Sequence, residues 1–241
     1  MKRIITLTVL AFSAIAIMAF SGLHNKPAET HTADEIINDY ITAMGGMQKL
    51  ASINTIYMEG IIDNGNGRKI PTRRWIVNKK NFRSETTVSG ITSFTIIRKD
   101  SGWNFSPNRG QRAPEPMTAS AVTANQPNLD IEGPLVNYKA KGYKVTYEGT
   151  DEIEGTEAYK ITAALNDSLV KTFYVDPDSH FVMRVKTRSK ANGRVSVSST
   201  DYSNYTKTAD GYIFPMAMGN IKYTVIKVNT EINENLFKPT K

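Results

Sequence analysis

Apolar residues recur at helical spacing over one short stretch and at alternate positions almost everywhere after it. Thr32-Ala33-Asp34-Glu35 has capping-box spacing, in which the hydroxyl accepts from the Glu35 N–H and the carboxylate reaches back. Ile36, Ile37, Tyr40, Ile41 and Met44 then form one apolar stripe, and Gly45-Gly46 ends the helix. A second helical turn is predicted over 47–52. From there the period drops from 3.6 to 2. Twelve strands are predicted: 53–62, 69–77, 81–89, 91–99, 102–106, 143–150, 157–165, 168–176, 180–190, 194–206, 211–218 and 220–229. Turn chemistry separates them, as in Asp63-Asn64-Gly65-Asn66-Gly67, Asp176-Pro177-Asp178 and Asn192-Gly193. Such short links demand antiparallel neighbours, because parallel ones need a crossover of about a dozen residues. Residues 107–142 interrupt the pattern, with a proline-containing loop over 108–116 and a short helix over 117–124. The stretch 129–138 reads as a helical turn or an edge segment.

The fold class that follows is α+β, a large antiparallel sheet with a few short helices. Twelve strands at ~4.8 Å spacing would span nearly 58 Å if laid flat, whereas a helix is only about 10–12 Å across. The helices therefore shield no more than part of one face, and an uncovered apolar sheet of that size would aggregate. A packed sandwich, a closed barrel or a curled half-barrel plugged by the helices would each solve the problem. The last leaves an apolar concavity for a hydrophobic guest.

Composition narrows the chemistry. The 241 residues contain no cysteine, three histidines, and 30 Lys+Arg against 23 Asp+Glu. Thiol nucleophiles, disulfides, Cys-ligated metals and an acylated N-terminal cysteine are all excluded. Lys2 and Arg3 precede an uncharged run from Ile4 to Leu23, and small residues at Ala19 and Ser21 suit cleavage before Gly22. Residues 1–21 therefore read as a signal peptide, 22–31 as a linker, and 32–241 as one domain. The same uncharged run is long enough to serve instead as a membrane anchor. Cleavage would remove two basic residues and no acid, lowering the formal charge of +7 by two. An exported, periplasmic chain makes nucleic acid a poor candidate partner.

Several short motifs occur together in order. They include Ala43-Met44-Gly45-Gly46, Tyr57-Met58-Glu59-Gly60, Gly102-Trp103, Gly133-Pro134-Leu135-Val136, Gly155-Thr156-Glu157-Ala158-Tyr159-Lys160 and Gly211-Tyr212-Ile213-Phe214-Pro215. The series spans almost the whole chain after the linker and resembles exported bacterial lipoprotein-sorting proteins of the LolA/LppX type. The resemblance implies a half-barrel of about eleven or twelve strands, its helices closing an apolar cavity for acyl chains. It also implies a carrier for a lipid or acylated lipoprotein without a catalytic site; a monomer without cofactor or metal is expected. Within such a family, the missing lipobox cysteine points away from a lipid-anchored receptor. The alternative is an envelope sensor of the same fold that binds a protein or lipid partner.

Candidate cavity residues are Trp75, Phe94, Ile96, Trp103, Phe105, Tyr159, Ile161, Phe173, Phe181 and Met183, with Met117, Val122 and Leu135 from the interrupting segment. Apolar walls suit acyl chains, which gain about 0.8 kcal/mol per buried CH₂. Plain core packing is the competing reading of each. A basic surface is expected from Arg73, Arg74, Lys79, Lys80 and Arg83, and from Arg184, Lys186 and Arg188 at period 2. It would meet an anionic membrane surface or an envelope receptor, or else keep a convex face soluble. No catalytic constellation emerges: His180 sits in an Asp-Pro-Asp turn, and Asp151, Glu152, Glu154 and Glu157 lack calcium-loop spacing. No phosphate-loop, HExxH, G-x-S-x-G or dinucleotide pattern occurs.

Overall fold

The computed structural model describes residues 31–191 and 193–240. The predicted signal peptide, nearly all of the linker and part of the Asn192-Gly193 turn lie outside the described residues. Helix α1 (Ala33–Ala43) starts on the predicted capping box: Glu35 N–H donates to Thr32 Oγ1 at 3.2 Å, and Thr32 N–H donates to Glu35 Oε2 at 2.8 Å. It buries Ile36, Ile37 and Ile41, and the chain turns away through Gly45 at φ +102° and Gly46 at φ +90°. Helix α2 (Met47–Ala51) follows and buries Leu50.

Thirteen strands then form one antiparallel sheet. They are β1 (Thr55–Asp63), β2 (Lys69–Val77), β3 (Asn81–Val88), β4 (Ile91–Arg98), β5 (Gly102–Phe105), β6 (Glu115–Pro116), β7 (Lys144–Ile153), β8 (Thr156–Asn166), β9 (Leu169–Val175), β10 (Val182–Ala191), β11 (Arg194–Lys207), β12 (Ile213–Met218) and β13 (Ile221–Val228). Their order is β6-β5-β4-β3-β2-β1-β13-β12-β11-β10-β9-β8-β7. The first and last strands pair in the middle, and the chain crosses from edge β6 to edge β7 through helix α3 (Ala119–Asn125) and residues 126–143. Twelve strands match the predicted runs. The thirteenth, β6, lies in the segment read as a proline-containing loop; Pro116 lies opposite Trp103 at the sheet edge, where proline is tolerated.

The curled half-barrel expectation is corrected here. The strands form an open sheet, neither closed nor strongly curled, with β6 and β7 as unpaired edges. Closure is unnecessary because both faces acquire covers. On the front face α1, α2 and the segment carrying Leu135 and Val136 pack on Ile56, Met58, Ile161, Phe173 and Val185. On the back face Phe237, in the C-terminal turn Glu234–Phe237, is fully buried against Phe94 and Ile96. The apolar area of the sheet needs covering, and chain segments distant in sequence cover it.

One glycine is required by close approach. A Cβ on Gly60 would lie 2.7 Å from the Lys222 carbonyl oxygen and 3.0 Å from the Tyr223 ring. Gly60 sits opposite Tyr223 at a bulge in the β1–β13 ladder, and its bare backbone leaves room for that ring on the front face.

Candidate functional site

Alternation assigns the front face of the central strands to Ile56 and Met58 on β1, Arg74 and Ile76 on β2, and Phe82 on β3. Phe173 on β9 and Val185 on β10 occupy the same face beyond the centre. Between these strands and the covering segments lies a cavity of about 290 Å³. Tyr40, Met44 and Leu50 close it from the helical side, and Asp130 to Leu135 close it from the crossover. Lys171, Tyr202, Tyr205, Phe214 and Met218 complete the wall. Its walls are chiefly apolar with a few polar groups, as in small-molecule sites, and its volume is at the low end of their ~300–1,000 Å³ range.

Of the thirteen predicted cavity residues, Leu135 and Phe173 line this cavity. Trp75, Phe94, Ile96, Trp103 and Phe105 occupy the opposite face, clustered with Phe237 and Ile232. Met117 packs with Phe82, Ile97 and Leu129, Val122 is buried on α3, and Met183 joins Ile153, Ala158 and Tyr174. Tyr159 and Ile161 belong to the front-face core, where the Tyr159 hydroxyl meets His31 Nε2 at 2.9 Å. Phe181 stacks on Tyr205 with ring centroids 4.2 Å apart. Among the residues missed from sequence, Met58 and Ile76 sit beside the larger aromatics Tyr57 and Trp75, whereas Phe82 and Tyr205 have no aromatic neighbour along the chain. The signal was present as alternation along β2, where Arg74 and Ile76 flank Trp75.

The predicted basic surface divides in the same way. Arg83 is buried on the back face: its Nε and Nη2 donate to Glu85 Oε1 at 2.8 and 2.7 Å, and its Nη1 donates to the Leu236 carbonyl at 2.7 Å. Arg73 reaches Glu85 Oε2 at 3.3 Å, its side chain 49% exposed. Arg74 faces the opposite way and enters the cavity wall. Lys79 and Lys80 are exposed in the β2–β3 turn. Arg184 is held by Asp201 and by Glu154 at 2.6 Å, while Lys186 and Arg188 are exposed on the back of β10.

Electrostatics inside the cavity are uneven. Lys141 ties Asp130 and Glu132 together at 2.6 and 3.5 Å. Burial holds Lys171 below the usual lysine pKa, partly opposed by the Asp130 charge. Burial likewise pushes the Tyr40 phenol up to about 12 and raises Tyr202, Tyr205 and Tyr223. These hydroxyls therefore remain protonated donors at neutral pH. No group of three or more His, Cys, Asp or Glu side chains among the described residues could hold a metal ion. His180 sits in the predicted turn, its N–H donating to the Asp176 carbonyl at 2.9 Å.

No protein-family model matches the chain, and no curated protein matches it. Solved structures do. A domain described as an outer membrane lipoprotein-sorting protein, from Vibrio parahaemolyticus, is 12% identical with a TM-score of 0.50, over 85% of this chain and 97% of its own. A LolA superfamily protein from Nitrosomonas europaea is 10% identical with a TM-score of 0.53, over 87% and 98%. A DUF1329 family protein from Desulfovibrio piger is 13% identical with a TM-score of 0.54, over 87% and 98%. The chain shares their fold. At such identities the likeness concerns architecture alone, and the motif resemblance read from sequence is met at that level.

Proposed function

We propose that this protein is an exported, non-enzymatic binding or carrier protein that holds a hydrophobic ligand in the front-face cavity. The observation that carries the reading is the cavity itself. Well-packed cores contain few voids larger than a water molecule, and this one is lined by Met58, Ile76, Phe82, Leu135 and Phe173. The fold shared with a lipoprotein-sorting domain and a LolA superfamily protein supports the same reading. The cavity volume of about 290 Å³ lies just under the ~300–1,000 Å³ typical of small-molecule sites. That capacity favours one acyl chain of a lipid or acylated protein over several.

On this reading residues 1–21 act as an export signal and 22–31 as a linker, and the binding domain, residues 32–241, works in the periplasm as a monomer without nucleic acid partners. The exposed row Lys186, Arg188 and Lys190 lies opposite Val195 and Val197, which are 50% and 68% exposed. This combination of cations and apolar tips suits contact with an anionic membrane surface during loading.

Mass spectrometry of organic extracts from protein purified out of its native envelope tests the carrier reading. A co-purifying lipid or acylated chain at near-stoichiometric amount is the expected result. Its absence, together with failure to bind a neutral apolar dye, rejects the proposal.

A further inference from the structure

The cavity contains a charge that its own chain leaves unanswered. Arg74 Nε is buried without a hydrogen-bond partner, and no carboxylate lies within ion-pair distance of this side chain among the described residues. The other cavity-lining cation, Lys171, has Asp130 nearby, and both acidic residues of the wall are shared with Lys141. Asp130 and Glu132 are both held by Lys141 on the crossover side, and neither pairs with Arg74. Beside it stands a second unanswered donor. The guanidinium of Arg74 lies 5.7 Å from the Tyr223 ring centre, and the Tyr223 hydroxyl is also buried without a partner. The missing side chain at Gly60 is what lets this ring lie across β1 towards β2.

A buried guanidinium N–H and a buried hydroxyl without acceptors are each destabilising, and a single oxyanion satisfies such groups. We infer that the hydrophobic ligand is an amphiphile with one anionic head, a carboxylate or a phosphate. The head sits on Arg74, and the chain runs over Met58, Ile76, Phe82 and Phe173. The inference rests on the binding function proposed above and specifies which class of ligand that site takes. The guanidinium fork suits planar or tetrahedral oxyanions.

The test is competitive displacement of Nile red, a neutral apolar dye, from the purified full chain at pH 8 by dodecanoate, dodecyl phosphate and dodecanol. At least one anion is expected to displace the dye at about tenfold lower concentration than dodecanol, the gain of one charge-assisted hydrogen bond. Preference for dodecanoate assigns a fatty-acid head, and preference for dodecyl phosphate assigns a phospholipid-type head. Arg74→Met should abolish the preference for the anion over dodecanol, and Arg74→Lys should restore part of it. Tyr223→Phe should weaken the preferred anion more than dodecanol, which keeps the test decisive if Arg74→Met fails to fold. Equal displacement by dodecanol and both anions, or a preference that survives at Arg74→Met, overturns the inference and leaves the carrier function standing. Failure of the dye and all three amphiphiles to bind overturns both.

Discussion

Glu85→Leu is expected to destabilise the fold by about 3 kcal/mol, the lower end of the range for removing one member of a buried ion pair. The structure supplies the reasons. Glu85 accepts two donors from Arg83 at 2.8 and 2.7 Å, and both side chains are about one-tenth exposed. Removing the carboxylate leaves Arg83 with only the Leu236 carbonyl and the Phe94 ring, whose centre is 4.1 Å away. The lower end is appropriate because Arg73, the other cation on Glu85, is half exposed and turns to solvent without comparable penalty. For a domain of this size the loss corresponds to a fall in Tm of roughly 6–12 °C. Arg83→Met/Glu85→Leu removes both charges and should lose only about 1 kcal/mol, because no uncompensated charge remains. The assay is urea unfolding followed by tryptophan fluorescence. Both tryptophans, Trp75 and Trp103, lie in this back-face cluster and report its opening directly. A single variant losing less than the double variant would refute the reasoning.

Phe237→Ala removes a fully buried side chain and should cost about 3–4 kcal/mol, with a red-shift of native tryptophan emission; a midpoint change under about 1 kcal/mol would show that the tail does not lock the back face. Gly60→Ala forces a Cβ against backbone at 2.7 Å and should lose about 1–3 kcal/mol in urea titration, whereas unchanged stability would deny the close approach. Lys171→Met should raise Tm at pH 7, because the native state holds the Lys171 pKa below its unfolded value of 10.5. For a base lowered on folding, the penalty is full below the native pKa and fades as pH rises towards 10.5, so the advantage of the variant should shrink over that interval. A constant gap between the two Tm curves up to pH 10.5 contradicts this assignment.

Local order was legible wherever the chain writes it locally. The Thr32–Glu35 capping box set the start of α1, and Asx and glycine turns bounded twelve strands to within a few residues. Hairpin neighbours follow from the same turns. The pairing of β1 with β13 does not, because it joins segments more than 150 residues apart through no turn. Nor does β6, whose two residues carry no periodicity to read. The site was legible to a lesser degree for a related reason. Period-2 alternation says which residues share a face and is silent on what covers that face. Choosing the aromatic phase of β2 to β5 selected Trp75, Phe94 and Trp103, which the C-terminal Phe237 covers, and passed over the phase of Arg74, Ile76 and Phe82 that faces the cavity.

Strands β2 and β3 carry the distinction between a structural and a binding arginine. Arg83 and Arg74 stand on adjacent strands, facing opposite sides, each beside an aromatic ring. Arg83 is resolved within the chain by a carboxylate and a carbonyl, beside the cluster of Phe94, Ile96 and Phe237. Arg74 has neither and borders a cavity. Packing alone would favour filling that space and replacing Arg74 with a methionine or leucine, since a buried N–H without an acceptor destabilises. Keeping both the space and the charge on one face, while the other is closed by a buried ion pair, separates the parts of the sheet that hold the fold from the parts that meet a ligand. The Lys171→Met and Glu85→Leu variants probe that separation from opposite sides. Stability should rise when a cavity cation is removed and fall when a back-face anion is removed, and the same sign for both would mean that the two faces serve a single structural purpose.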